Sequence, residues 1–198
     1  EVAEGMKYPV VVKLNSETIT HKSDVGGVQL NIKDKEGVAT AWNTIRNNLE
    51  KLGKLDGFQG VTVQRQLNLS DGYELIFGSN LDSQVGPVIV FGTGGTLVEV
   101  YKDSSMALPP LNTASARHCM EKTKIYKALK GVRGKKPCDL ELLDQVFVRF
   151  SELIADQPWI KELDINPMLA TPTDIIALDA RVVLHAPGTP VEKLSRPS

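Results

Sequence analysis

Apolar and polar residues change period several times along the chain, and each change marks an element. Tyr8-Pro-Val-Val-Val-Lys-Leu14 is a β-branched run and predicts a strand. A polar stretch over 15–27 follows, and Val28-Gln-Leu-Asn-Ile32 then alternates as a half-buried strand does. Together they predict a hairpin with a long, glycine-ended loop. Asp34 is placed to cap a helix in which Val38, Trp42, Ile45, Leu49 and Leu52 recur at spacings of four and three, and Gly53 is placed to stop it. Val61-Thr-Val-Gln64 is a further strand. The second half predicts strands at Tyr73–Phe77, Pro87–Phe91 and Leu97–Tyr101, then a two-piece helix from Asn112 to Lys130. An amphipathic helix carries Leu143, Val146, Phe147, Phe150, Leu153 and Ile154, and two closing strands run over Glu162–Asn166 and Ile175–Asp179. The prolines of 185–198 and the lack of periodicity there predict a linker. Two lobes with a sheet each, joined near 66–72, predict an α+β chain with a ligand cleft at the junction.

Composition narrows the function classes. At 198 residues and 41% hydrophobic the chain can bury a core. Lys plus Arg is 23 and Asp plus Glu is 24, so no global basic field exists to hold nucleic acid or an anionic membrane. No apolar run approaches the roughly 20 residues a membrane helix needs. Cys119 and Cys138 form no CxxC pair; reduced thiols and a cytoplasmic location are the expectation. The opening Glu1-Val-Ala-Glu4 reads as the middle of a helix, so an excised fragment is expected.

Several polar groups stand where chemistry needs them, each beside a plainer reading. Lys13 lies in a strand among valines, where its ammonium needs water or an anion; snorkelling is the alternative to a phosphate. His21-Lys-Ser-Asp-Val-Gly-Gly27 combines a nucleophile, a cation and two glycines whose amides can approach an oxyanion, or it is a solvated turn. Gly92-Thr-Gly-Gly95 lacks the GxGxxG spacing and the following helix of a dinucleotide fold. Glu99 and Asp103 follow as candidate carboxylates or ordinary surface acids. Asp164 and Asn166 share one strand face, and Asp179 lies near the end of the next strand. These are hard oxygen donors suited to magnesium, or else a polar strand face with an Asn-Pro turn. Arg133, between glycines, suits an anion or a helix-stop loop. Trp42 reads as core and Trp159 as a packing residue; His118, Cys119 and His185 receive no role.

Five ordered motifs resemble the ATP-grasp domain of NDP-forming acyl-CoA synthetases over residues 5–184. They are Tyr8–Lys13, His21–Gly27, Gly86–Gly95 with Val98-Glu99 and Lys102-Asp103, Lys130–Gly134, and Leu163–Pro167. The same domain precedes a GNAT domain in bacterial protein lysine acetyltransferases, and the Lys193-Leu-Ser-Arg-Pro197 tail resembles that junction. The resemblance implies an ATP-grasp fold of two mainly antiparallel lobes, 1–66 (truncated at its N-terminus) and 67–184, with a nucleotide cleft between them and a linker over 185–198. It implies ATP or ADP and Mg2+ as cofactors. Lys13 would hold phosphates, His21 would carry the phosphoryl group, and Gly26 and Gly27 would form its flexible turn. Gln64 would be the hinge contact to the nucleotide and Glu74 the acid after it. Asn166 and Asp179 would be metal ligands, with Asp164 beside them. Glu99, Asp103 and Arg133 remain further candidates. Arg65 stands where the family usually has a smaller or apolar residue, and would either pair with a phosphate or crowd the adenine. The reaction implied is ADP-forming acyl-CoA synthesis through phosphohistidine and acyl phosphate, with CoA-binding and ligase domains supplied by the same protein or a partner subunit. A nucleotide-binding or regulatory module of a protein lysine acetyltransferase is the alternative.

Overall fold

A computed structural model of the chain describes residues 2–95, 102–132, 134–190 and 193–195. It falls into two units, Glu1–Leu67 and Asn68–Ser198. The first contains α1 (Val2–Gly5), β1 (Val10–Leu14), β2 (Val28–Ile32), α2 (Lys35–Lys51) and β3 (Val61–Arg65). Its sheet has the order β2-β1-β3, antiparallel throughout. Asp34 caps α2 by accepting the Gly37 N–H at 2.7 Å. Ala41, Ile45 and Leu49, four residues apart, press one helix face onto Val12 and Leu14. Gly53, at φ +64°, ends the helix as expected. Trp42 departs from expectation: it is 42% exposed and meets Phe58 edge-on at the rim of the stripe, its ring centroid 5.1 Å away.

The second unit contains β4 (Tyr73–Asp82), β5 (Gly86–Thr93), β6 (Ser104–Ala107), α3 (Thr113–Glu121), α4 (Lys124–Leu129), α5 (Leu140–Asp156), β7 (Ile160–Ala170), β8 (Ile175–Ala177) and β9 (Ala180–Leu184). The sheet runs β6-β5-β4-β7-β8, and β9 also pairs with β7, so β8 and β9 share its remaining edge end to end. Alternate residues of β4, β5 and β7 meet α5 and α3 in one core. Phe77 sits at its centre, with ring centroids of Phe91, Phe147 and Phe150 at 5.4, 5.1 and 5.6 Å. The buried Asp144 of α5 is held by Arg117 of α3.

Three departures have local causes. Strand β6 is Ser-Ser-Met-Ala, without a β-branched residue; what makes it a strand is its pairing to β5, not propensity. The last predicted strand breaks at Leu178–Asp179, a turn without glycine or proline, and resumes as β9. The tail, read as a linker, is tied down: His185 Nε2 and Ser195 Oγ lie 2.9 Å apart, and the buried Ser195 donates its N–H to Pro158 O. Trp159 beside it is 55% exposed, so it does not pack as predicted. The strand predicted over 97–101 lies outside the described residues. Among those described, no helix is long and apolar enough to cross a membrane.

Replacing Phe77 with Ala should lower the unfolding free energy of the second unit by about 3–5 kcal/mol in a urea titration. A loss under about 1 kcal/mol would contradict this account of the core.

Candidate nucleotide and cation site

In the first unit, β1 alternates. Val12 and Leu14 face α2, so Val11 and Lys13 face the other way. Antiparallel pairing sets Thr62 opposite Lys13 and Gln64 opposite Val11. Lys13 and Gln64 are therefore diagonal neighbours on the sheet face turned away from α2. Arg65 pairs with Val10 and by alternation falls on the opposite face of the sheet from both.

The loop between β1 and β2 carries His21, which is exposed and precedes a short 3-10 turn at Lys22–Val25. Val25 is buried and anchors the loop. Gly26 has φ +65°, and a Cβ on it would collide with the Asn48 amide; one on Gly27 would crowd Lys22 O and Leu14. The amides of both glycines are spent within the loop, Gly26 N–H on Ser23 O at 3.0 Å and Gly27 N–H on Lys22 O at 2.7 Å. In this conformation the pair shapes the histidine loop and offers no N–H to an oxyanion, which corrects the reading of those amides.

In the second unit, Tyr73, Leu75 and Phe77 face the core, so Glu74, Ile76 and Gly78 line the other face of β4. Asp164 on β7 stands opposite Gly78 on one side and Arg181 of β9 on the other. Asn166 donates its backbone N–H to Asp179 O at 3.2 Å, which fixes Asp179 beside it. Burial pushes the Asp164 carboxyl above its ordinary range; Arg181 opposes the rise and the nearby Asp179 charge adds to it. The amide oxygen of Asn166 accepts the Gly95 N–H at 2.8 Å, and Gly94 N–H donates to Glu74 O at 2.8 Å. The glycine segment after β5 thus links Glu74 to the Asp164–Asn166–Asp179 corner.

The donor set fits a hard divalent cation. It offers two carboxylates and an amide oxygen, the hard oxygen donors such a cation takes. Among the described residues no group of three or more His, Cys, Asp or Glu side chains could hold a metal ion alone. A cation held there would need further ligands from water or phosphates.

Asp103 belongs elsewhere. Its carboxylate accepts the N–H groups of Lys124 and Ile125 at 2.7 and 2.8 Å and the Thr93 hydroxyl at 3.1 Å. It is a helix-terminus anchor with both oxygens engaged, not a reactive acid. Glu99 and Arg133 lie outside the described residues. Sequence reasoning missed Arg181, and it singled out the Gly92–Gly95 segment without giving Gly95 a role. The Val182-Val-Leu184 run could have signalled β9 and its arginine, whereas nothing in the sequence links Gly95 to Asn166.

Asp103→Ala should destabilise the ligand-free protein by about 1–2 kcal/mol; unchanged stability with lost nucleotide binding would restore its reading as a site carboxylate. Because the folded Asp164 holds its proton more tightly than the unfolded residue, it costs stability as pH rises through the carboxylate range. Asp164→Asn should therefore melt above the parent at neutral pH, with the gap closing below about pH 4. A variant that melts lower at every pH would contradict this.

Comparison with known proteins shows the family. A family model described as an ATP-grasp domain matches residues 1–184. The acetate–CoA ligase (ADP-forming) I subunit beta of Pyrococcus furiosus is 42% identical over 177 residues, 89% of this chain and 75% of that subunit. The acetate–CoA ligase (ADP-forming) I of Archaeoglobus fulgidus is 38% identical over 184 residues, and the chain spans 26% of it. Among solved structures, the dinucleotide forming acetyl-coenzyme A synthetase 1 of Ca. Korarchaeum cryptofilum, in complex with coenzyme A, Ca-AMPCP and HgCl+, superposes with TM-score 0.86 at 36% identity. That match covers 92% of this chain and 79% of that one. The same synthetase with coenzyme A and Mg-AMPPCP, its phosphohistidine segment pointing towards the nucleotide binding site, gives 0.78 at 34% identity over 92% and 79%. The chain belongs to the ATP-grasp domains of the ADP-forming acyl-CoA synthetases.

Proposed function

We propose that this domain binds ATP or ADP with Mg2+ and exchanges the terminal phosphoryl group with His21, as one step of an ADP-forming acyl-CoA synthetase. The observation that carries this reading is the Asp164–Asn166–Asp179 corner, a set of hard oxygen donors tied through Gly95 to Glu74. The likeness to a synthetase solved with Mg-AMPPCP, its phosphohistidine segment pointing towards the nucleotide binding site, supports the role of His21.

In this reading Lys13 pairs with phosphate oxygens, while Gln64 and Glu74 contact the nucleotide. Asn166, Asp179 and Asp164 would hold Mg2+, which when bound neutralises charge on the phosphates. A ring nitrogen of His21 attacks the γ-phosphorus, the N–P bond forms, and the bond to the β-phosphate oxygen breaks as ADP leaves. The phosphoryl group then passes to a carboxylate as acyl phosphate, and the CoA thiolate displaces phosphate to give the thioester. Those later steps need CoA-binding and ligase domains, in the same protein or a partner subunit. A cytoplasmic setting belongs to the same proposal and accords with two free, buried cysteines. Neither the fold nor these relatives favours the acetyltransferase-module alternative or a GNAT partner.

Isothermal titration tests the binding step. The parent should bind Mg-ADP, and Lys13→Ala should weaken it by about 10–100-fold, the value of a charged hydrogen bond. Asp179→Ala should abolish the dependence of affinity on Mg2+. Affinities unchanged in both variants would overturn the assignment.

A further inference from the structure

Asn166 makes a contact that a cation ligand would not require. Its Oδ1 accepts the N–H of Gly95, 71 residues earlier in the chain, at 2.8 Å. On the other side of that peptide, Gly94 N–H donates to Glu74 O at 2.8 Å. Neither glycine has room for a side chain. A Cβ on Gly94 would enter the Leu75 peptide, and one on Gly95, at φ +76°, would run into the Glu74 carboxylate. The segment is therefore pressed onto the start of β4 by one backbone bond and one side-chain bond, and only the side-chain bond reaches it from β7.

We propose that Asn166 is a positioning residue for the glycine segment: its amide oxygen latches Gly95 and so holds the chain leaving β5 against Glu74. The amide oxygen has two lone pairs, so it can accept the Gly95 N–H and still face a cation. The latch itself needs no cation; only the idea that the two uses coincide rests on the function proposed above. The nearest alternative anchor, Glu74, touches this segment through its backbone carbonyl, which a substitution at Asn166 leaves in place.

Hydrogen exchange of the whole chain, read by mass spectrometry on peptides spanning 92–95, tests this. Asn166→Ala should speed exchange there by tenfold or more, while peptides of the α5 core stay as in the parent. Asn166→Asp keeps an acceptor oxygen and should restore slow exchange. Asn166→Ser, too short to reach Gly95, replaces the alanine variant if that one does not fold. Exchange at 92–95 that is unchanged in the Ala or Ser variant overturns the latch, as does an Asp variant as fast as the Ala variant. Mg2+ titration of the same proteins reads the cation corner separately. Fast exchange in the Ala variant from a parent that binds no Mg2+ would uphold the latch and sink the cation reading. Unchanged exchange with Mg2+ binding lost would do the reverse.

Discussion

Strand β7 must serve two faces of one sheet, and the second unit depends on how it does so. It is paired along nearly its whole length, with β4 on one side and β8 and β9 on the other. Leu163 and Ile165 point into the phenylalanine core, and so do Met168 and Ala170. That parity is possible only because the register against β4 shifts once, between Leu75 and Phe77. The irregularity places Asn166 and Pro167 between the two core pairs, and Asp164 and Asn166 lie on the face away from the helices. A regular strand would have sent Met168 out of the core or kept the polar pair from its neighbours. The apolar packing and the oxygen corner are thus two results of one irregularity.

The polar groups of each unit divide by whether their bonding capacity is already used. Asp103 spends both oxygens on α4 and Thr93, and Gly26 and Gly27 spend their amides on the histidine loop. Burying such groups without partners would cost more than their bonds return, so their occupation is structural. Asp164 is the opposite case. It stands half-buried beside another carboxylate, with Arg181 the counter-charge across the β7–β9 pairing. Its carboxyl is raised chiefly by burial, with Asp179 adding to the rise and Arg181 opposing it.

Much of this was legible from residue pattern. The valine run of β1, the capped stripe of α2 and the amphipathic α5 carry their periods openly, because each buries one face against one neighbour. Strand β6 and the Leu178–Asp179 turn were not legible, since the first is a strand by pairing and the second turns without glycine or proline. Trp42 misled because the edge of a helical stripe has the same spacing as its centre. Asp164 and Asn166 could be placed on one face by alternation alone, and Asp179 beside them by antiparallel return. The link from Asn166 to Gly95 spans 71 residues and leaves no local signature.

The central claim is that phosphoryl passes between nucleotide and this chain at one histidine. Incubation with γ-labelled ATP and Mg2+, followed by acid and base treatment, tests it most directly. The account predicts an acid-labile, base-stable label on the protein that vanishes in His21→Ala while nucleotide binding survives. A label of equal extent and the same lability in His21→Ala would contradict it.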